Sequence, residues 1–462
     1  MDTKPELKPL NLAELHTAVA ERGAAFRLLT RLQPAGGPGD KVFPPTYVVD
    51  DKQSRSKYAI EKRRIGGADV DVVLLDSVAS QANRMEDALF VEWEAGQLDF
   101  PVIGVDFSQE EGLADLGFIS ALHAPHRIAD ALLRDALTSE GLPFRDAPEG
   151  KAYTQASLRN ATVVYNLCPT GLVFGVWNST ALAKGDPQHK FQRCLVSEIV
   201  GVAYRSGQKV GSRLDPTGIE KVGAVYHSAG APYDWTIDES EAFRDGGKAL
   251  LFSRKNVFVQ RTGTSEWTRK SKAGDKKDDE RGKVTSVNHS NIPPTKDDEA
   301  GGVTFDYAQQ TTVLSLPALR RLRFVEDAAG RTIAPDARAA AEAAARTALA
   351  ALALAAVVLA QRRGLDLRSR ALLVPETGTR AVLQLIPTDG GPPIDYELNA
   401  TQALELVKKA AAVAAEHGLA WTREPLRLTP MPKLSALIRE SRRLATAGLG
   451  DDLETGDARP AA

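Results

Sequence analysis

A short polar segment near residue 80 carries the residue types best suited to binding an anion. The apolar run at residues 70–75 predicts a buried strand, and the helix that follows it contains Ser80, Gln81, Asn83 and Arg84 in its first turns. A helix N-terminus has unpaired N–H groups and a positive dipole end, which favour a bound phosphate. Hydroxyl, amide and guanidinium donors suit a sugar-phosphate backbone better than a catalytic step. The alternative interpretation is a capped amphipathic helix with an ordinary polar face.

Motifs for catalysis are missing from the sequence. It contains no nucleophile elbow, zinc-protease motif, Walker loop or dinucleotide-binding loop. Cys168 and Cys194 are too few for a disulfide framework or a Cys-based zinc site. His123 and His126 lie close together, but we interpret them as residues of a surface loop rather than as metal ligands. The sequence therefore predicts no catalytic residue, no metal site and no cofactor.

The composition is typical of a soluble intracellular protein. Hydrophobic residues make up 43% and charged residues 26% of the 462 residues, enough for two or three domains with their own cores. The first twenty residues have no apolar signal segment, so we do not expect secretion. The apolar stretch at residues 347–360 is too short to span a bilayer. We expect a cytoplasmic protein without membrane contact.

Charge is distributed unevenly along the chain, although the net charge is only −2. Residues 52–64 contain six basic residues and one acidic residue, a local balance of +5. Residues 254–283 contain ten basic and five acidic residues, again +5, and residues 451–457 are acidic. The position of charge, more than its sum, decides whether a phosphate chain is attracted. Each basic run alone is also typical of a solvated loop.

Hydrophobic periodicity and turn residues predict a mixture of helices and strands. Residues 254–283 are polar and Gly-punctuated, so we interpret them as an exposed excursion with a hairpin starting at 257–261. Residues 371–375 and 381–386 predict a hairpin around 376–380. The predicted helices are 12–22, the segment after Ser77, 319–324, 337–360 and 401–417. The predicted strands are 26–32, 70–75, 102–107, 158–165, 172–177, 195–202 and 311–316.

Seven segments in one order resemble a single known family. They are residues 32–47, 70–89, 167–180, 190–201, 212–219, 288–294 and 301–324. The series is similar to the RAMP-superfamily backbone subunit of type I-G (formerly I-U) CRISPR interference complexes, the GSU-type family. Beyond residue 324 no segment carries the resemblance.

The resemblance implies an α+β fold. Its core would be a RAMP ferredoxin-like, RRM-like domain with large insertions, spanning residues 1–330 and including the charged excursion at 253–300. Beyond the resemblance, the sequence pattern of residues 331–462 predicts a C-terminal α/β extension, made of an Ala-rich helix, a hairpin and further helices and ending in an acidic tail. Aromatic residues are only 6% of the chain, so base stacking of the RRM kind is not expected.

The resemblance also implies a function. A subunit of this family would be non-catalytic, polymerise along CRISPR RNA by gripping its backbone, and leave bases free to pair with target DNA. Its other partners would be further copies of itself and other Cas subunits. Residues expected to contact RNA are Arg63, Arg64, Ser80, Gln81, Asn83, Arg84, Lys41, Lys190, Arg193, Arg213, Asn288, His289 and Asn291.

Two other functions remain open from the sequence. Some RAMP relatives cut RNA with a histidine, and His289 would be the general base if this chain were an endoribonuclease that processes precursor RNA. The favoured interpretation of His289 is a polar loop residue that contacts the RNA backbone or caps a turn. A purely structural subunit that touches only other proteins is the third possibility.

Overall fold

The computed structural model describes residues 7–48, 56–177, 190–260, 266–270, 281–379 and 381–446. The fold is α+β, as predicted. The chain divides into one unit of residues 1–208 and 298–435 and another of residues 209–297 and 436–462. This division differs from the predicted one at residue 330, since strands from beyond that residue join the sheet of the first unit.

A ten-stranded sheet forms the centre of the first unit, in the order β1-β10-β9-β2-β6-β5-β4-β3, with β7 paired to β8 and β8 paired to β2. In chain order the strands are β1 (Lys8–Pro9), β2 (Gly23–Pro34), β3 (Ile60–Ile65), β4 (Ala68–Asp76), β5 (Leu195–Val202), β6 (Tyr307–Ser315), β7 (Leu365–Asp366), β8 (Leu372–Pro375), β9 (Leu383–Pro387) and β10 (Ile394–Glu397).

The helices of the chain include α1 (Leu12–Thr17), α2 (Val78–Glu94), α3 (Pro335–Arg363), α4 (Ala400–Glu416) and α5 (Pro432–Thr446). Of these, α2 and α3 lie on one face of this sheet. The side chain of Gln310 on β6 is hydrogen-bonded to Gln81 of α2 and to Gln361 of α3, so both helices lie against the same face. Neighbouring strands from β9 through β2, β6, β5 and β4 to β3 are all antiparallel.

The Ala-rich helix α3 is the main core helix. It begins with Pro335 in its first turn, and it ends at Gly364, whose φ is +87°. Glycine adopts this left-handed backbone region without the steric cost of a Cβ atom. Residues 347–357 are buried throughout, because small alanine side chains allow α2, α4 and the sheet to approach closely. The prediction of this helix is confirmed.

The same helix is long and apolar enough to cross a membrane, by its length and composition alone. However, 78% of its most apolar window is buried inside the protein. An apolar helix enclosed by other elements is equally typical of a soluble core. Its hydrophobicity is therefore explained by packing within this unit.

A smaller four-stranded sheet belongs to the same unit. Its order is Phe118–Ser120, Ile103–Asp106, Leu426–Pro430 and Ala136–Leu137, and the two central strands are parallel. Two short strand pairs also belong to this unit, Val176–Trp177 with Lys190–Phe191 and Arg205–Ser206 with Val303–Thr304. Short α-helices lie at Ala131–Arg134, Pro148–Thr154, Thr162–Leu167, Pro169–Phe174 and Leu316–Arg320.

The second unit is built from short hairpins between β5 and β6. Its strand pairs are Lys209–Arg213 with Ile292–Asp297, Tyr226–His227 with Trp235–Thr236, Arg244–Asp245 with Lys248–Ala249, and Val257–Gln260 with Trp267–Lys270. The last pair confirms the predicted hairpin, except that Arg261 lies outside the described residues. This unit is an insertion in the sequence between two adjacent antiparallel strands.

Three predictions of secondary structure were wrong. The segment 158–165 is not a strand, since the helix Thr162–Leu167 begins within it. Pro169–Phe174 is likewise a helix, and only Val176–Trp177 at the end of 172–177 is extended. Short apolar runs have no period that separates a buried helix from a buried strand. Strands β8 and β9 exist, but each pairs with β2 instead of forming a hairpin together.

A buried histidine lies in the core of the second unit. The Nδ1 atom of His227 is 2.5 Å from the Pro232 carbonyl oxygen. Its Nε2 atom is 3.0 Å from the Ser253 N–H nitrogen and 2.8 Å from the Asn256 amide nitrogen. A neutral ring with its proton on Nδ1 satisfies all three partners. Burial lowers the pKa of His227 from 6.5 to about 4.

This histidine makes the second unit sensitive to acid. The lowered pKa means that its contribution to stability is present above pH 6.5 and is lost as the pH falls towards 4, because the unfolded chain takes up the proton first. The loss should reach up to about 3 kcal/mol. Hydrogen exchange of the amides between residues 225 and 258 at several pH values measures it. His227→Gln should be less stable at pH 7 and lack this part of the pH dependence. Equal slopes for both proteins would contradict the assignment.

Candidate nucleic-acid interface

The edge strand β3 carries two of the predicted contacts in different environments. Arg63 donates to both carboxylate oxygens of Glu198, at 2.6 and 3.1 Å, and also to Glu61. These hydrogen bonds, that of Glu198 first, raise the pKa of Arg63. Arg64 is 74% exposed, and its nearest carboxylate oxygen, on Asp69, is 3.8 Å away. Arg64 therefore presents its charge to solvent, whereas Arg63 is committed to Glu198.

The polar residues at the start of α2 surround a buried carboxylate. Ser77 caps the helix by accepting a hydrogen bond from the Ser80 N–H. The side chain of Asp76 is fully buried. Gln81 Nε2 and Arg84 Nε both donate to its Oδ2 atom, at 2.6 and 3.0 Å. The side-chain donors of Gln81 and Arg84 thus bind the protein's own carboxylate, Asp76.

Arg84 also bonds to a distant part of the chain. Its Nη2 donates to the Leu367 carbonyl oxygen at 2.7 Å and its Nη1 to that of Asp366 at 3.3 Å. A second cation, Arg368, approaches the other oxygen of Asp76 at 3.8 Å. Leaving a buried charge unpaired is costly, so these contacts are structural requirements of the fold.

Gln81 is part of the core, with an exposed fraction of 2%. Its Oε1 accepts hydrogen bonds from Ser197 Oγ at 3.0 Å and Gln310 Nε2 at 2.8 Å. The expectation that Gln81 and Arg84 present donors to a phosphate is corrected, because their donors serve Asp76 and the chain around it. Ser80 is half-buried and Asn83 is exposed, and both stay predicted contacts.

The remaining basic residues of the first unit have separate surroundings. Lys41 donates to the Gln208 carbonyl oxygen at 2.8 Å and packs so closely that a Cβ atom on Gly207 would lie 2.9 Å from its Cε. Arg193 is exposed beside a cleft. Lys190 lies in a described strand, but its side chain is outside the described residues. The described contacts of Lys41 and Arg193 do not bring these two side chains together.

Four predicted residues of the second unit do come together. Arg213, at the end of a strand, donates to the His289 carbonyl oxygen at 2.7 Å and to that of Ser290 at 3.0 Å. Asn291 Oδ1 accepts from the Asp215 N–H at 2.7 Å. The segments 212–219 and 288–294, separate in the sequence, thus form one site. Asn288 is exposed at the same loop.

The carboxylate of Asp215 anchors this loop through hydrogen bonds. It accepts hydrogen bonds from Thr217 Oγ1 at 2.5 Å, the Thr217 N–H at 2.9 Å, the Ser290 N–H at 3.0 Å and His289 Nδ1 at 3.1 Å. These bonds, those from Thr217 first, hold the pKa of Asp215 below its usual range. The carboxylate is therefore charged at neutral pH and fixes the imidazole of His289.

The loop backbone is strained and its main-chain donors are used. Asn288 and Ser290 have φ values of +62° and +84°, which non-glycine residues rarely adopt. The N–H groups of Asn288, His289 and Ser290 donate to Thr285, Val284 and Asp215. Such strain persists only where the surroundings enforce it, and it concentrates at functional sites. A ligand at this loop would meet the side chains of Asn288, His289 and Asn291.

The His289 side chain has the geometry of an oriented base. Its Nδ1 faces the carboxylate of Asp215, the side chain is 41% exposed, and its ring lies edge to face with Trp235 at 6.3 Å between centroids. A carboxylate that accepts from Nδ1–H leaves Nε2 as an acceptor that can take a proton, and once protonated Nε2 can donate to a phosphate.

Sequence reasoning missed three residues that organise these sites. Asp215 lies in the segment 212–219, and its place before Pro-Thr-Gly, a turn signal, could have identified it. Arg368 has no local signal, because its partner Asp76 is far away in the sequence. Arg127 forms a buried ion pair with Glu86, with a shortest N–O distance of 2.6 Å. Burial raises the pKa of Glu86 to about 7, against the opposing effect of Arg127.

Residues 26–206 match the family model described as CRISPR-associated protein GSU0053. This region of the chain is therefore similar to a CRISPR-associated, GSU-type family. No curated protein matches the chain. The matched region includes β2 to β5 and α2, and hence Asp76 and the residues that surround it.

The corrected role of Arg84 can be tested by stability. Arg84→Ala should lower the free energy of unfolding by roughly 2–4 kcal/mol, because it removes a charged partner from buried Asp76. Arg64→Ala on the exposed edge strand is the matched control and should change it by less than about 0.5 kcal/mol. Denaturant unfolding of both variants provides the measurement. Equal stability of Arg84→Ala and the control would show that the Asp76 cluster does not hold the fold.

Proposed function

We propose that this chain, similar to the CRISPR-associated GSU0053 family over residues 26–206, is a non-catalytic subunit that polymerises along CRISPR RNA. One observation carries the RNA-binding part. The loop at 288–291 is clamped by Arg213 and Asp215 so that its side-chain donors face outward. A loop built with strain to present an imidazole and amides suits a phosphate-sugar chain.

The topology of the sheet supports a ferredoxin-like core of the RAMP kind. The path β2–α2–β5–β6–α3–β9 is a βαββαβ sequence, interrupted by the hairpin of β3 and β4 and by the second unit. The four strands lie in the order β9-β2-β6-β5, so each β-α-β crossover skips one strand. This is the split βαβ arrangement. The second unit then corresponds to an insertion between the two central hairpin strands.

Binding to RNA phosphates is consistent with the exposed Arg, Asn and His side chains of both units. Arg64 and Asn83 are exposed in the first unit, and Asn288 and His289 present donors in the second. Contacts to phosphate and sugar fix the position of a chain without reading its sequence. Such a subunit leaves guide bases free to pair with target DNA. We place its action in the cytoplasm, together with other copies of itself and other Cas subunits.

A second candidate function is metal-independent RNA cleavage, and the Asp215–His289 pair favours it. His289 Nε2 would take the proton of a ribose 2′-hydroxyl, which would attack the adjacent phosphorus and expel the 5′-oxygen. That oxygen needs a proton donor. Within the described residues, the hydrogen bonds of Arg213 go to loop carbonyls, so this loop offers no second charged group directed at a phosphate. We therefore favour binding over cleavage.

The first test of the proposal is RNA affinity. Affinity for single-stranded RNA should fall steeply with salt and differ little between unrelated sequences. His289→Ala should weaken binding about fivefold, the effect of one hydrogen bond to a phosphate. His417→Ala, at the end of α4, is the matched control and should bind like the wild type. Fluorescence anisotropy at several salt concentrations gives these values. A strong preference for one sequence, or unchanged binding by His289→Ala, would contradict this role of the loop.

The second test concerns catalysis. His289→Ala should leave any RNA cleavage by a preparation unchanged, since we assign this residue to binding. Labelled repeat RNA is incubated with wild type and variant, with and without divalent metal, and its products are separated by size. Specific cleavage that the variant lacks would move the protein to the endoribonuclease class.

A further inference from the structure

A cleft of about 540 Å³ opens on the first unit beside the strand pair Val176–Trp177 and Lys190–Phe191. Phe174, Val176 and Phe191 provide apolar walls, and Arg193 lies at its margin. Gly175 forms part of the wall with φ +87°, and a Cβ atom there would lie 3.0 Å from the Phe191 carbonyl oxygen. The cleft is therefore shaped by backbone and not only by movable side chains.

A buried ion pair supports this cleft. Arg127, which also lines it, has a positive φ of +54° and donates to both oxygens of Glu86. Its Nη1 donates to the Gly175 carbonyl oxygen at 3.1 Å, and its guanidinium lies 5.5 Å from the centre of the Phe174 ring. Arg127 is thus paired with Glu86 inside the protein, and its contacts fix the position of the apolar walls.

The margin of the cleft is positively charged. Arg193 is exposed, and its charge also acts on the buried carboxyl of Glu86. The neighbouring Gln192 accepts a hydrogen bond from Arg321, which adds a second cation on this side. Val196, 38% exposed, extends the apolar surface. An apolar surface bordered by exposed positive charge fits an apolar side chain that is flanked by carboxylates.

The second unit carries a turn with this composition. The acidic turn, residues 237–241, follows the strand Trp235–Thr236 of a hairpin and exposes Ile237 to 62%. Asp238, Glu239 and Glu241 surround this isoleucine in the sequence. Asp238 caps the short helix Glu239–Glu241, and Thr236 Oγ1 donates to Glu241 at 3.4 Å. Glu239 is exposed, and its side chain forms no ion pair within the described residues.

We propose that the acidic turn of one copy docks into the cleft of the next copy, with Ile237 against Phe174 and Phe191 and with Glu239 beside Arg193. The partner is a second copy because the same chain carries both complementary surfaces and leaves Ile237 exposed. Two different surfaces in contact form a heterologous, head-to-tail interface, which builds open filaments. This inference rests on the proposed function, in which copies assemble along RNA. Trp235, next to the acidic turn, contacts His289 and so links the interface to the RNA-binding loop.

A charge exchange tests the contact. Glu239→Arg should raise the protein concentration needed for assembly on long RNA about tenfold, because attraction to Arg193 becomes repulsion. Adding Arg193→Glu should restore assembly, since the pair is then reversed. Glu220→Arg is the matched control, an exposed charge reversal in the same unit, and should assemble like the wild type. Ile237→Asp should weaken assembly, and neither Glu239→Arg nor Arg193→Glu should restore it.

Sedimentation velocity with long RNA, and anisotropy with RNA too short for two copies, separate the outcomes. Unchanged assembly of Glu239→Arg would overturn the interface while leaving RNA binding intact. A double variant that binds short RNA poorly and is not rescued would assign Arg193 to RNA instead of to the neighbouring copy. A wild type that binds neither RNA would contradict the proposed function itself. Melting temperatures confirm that each variant is folded.

Discussion

The carboxylate of Asp76 is the constraint on which the architecture of the first unit depends. It is fully buried at the junction of β4 and α2, and it draws donors from Gln81 and Arg84 together with the charge of Arg368. A buried charge must be neutralised by well-placed partners. The partners Arg84 and Arg368 of this carboxylate connect the family-matching region to the chain after α3. Gln81 extends the same hydrogen-bond network to the central strands through Ser197 and Gln310. The polar residues at the start of α2 look like free donors in the sequence, but in the structure they bond α2 to the central strands and to the chain after α3.

A second carboxylate acts in the same way in the other unit, but there it shapes a surface. Asp215 accepts donors from Thr217, Ser290 and His289, and Arg213 holds the carbonyl groups of the same loop. The difference between the two sites is exposure. The donors around Asp76 point inward, whereas the loop above Asp215 turns an imidazole and amides towards solvent. The exposed side chains at residues 288–291 therefore suit RNA contact better than the donors at the start of α2, which bind Asp76.

Elements with a long, regular pattern could be predicted from the sequence, and contacts between distant residues could not. The Ala-rich helix, its end at Gly364 and the alternating strands β2 and β6 follow from local rules. The pairing of β8 and β9 with β2 depends on tertiary packing and resembled a hairpin. Arg84 looks like a free donor in the sequence, because its partners at 366–367 lie almost 300 residues away. The loop of Arg213 and His289 was found as separate motifs, but its clamp by Asp215 was not.

A subunit that assembles along CRISPR RNA should remain bound to RNA during purification. The most direct measurement is the ratio of nucleic-acid to protein ultraviolet absorbance for the chain purified from cells that express its guide RNA, before and after ribonuclease treatment. A backbone subunit should keep RNA through purification, with a raised ratio that ribonuclease lowers only where the RNA is not covered. A ratio equal to that of the protein alone, from cells that contain the guide, would contradict the central claim.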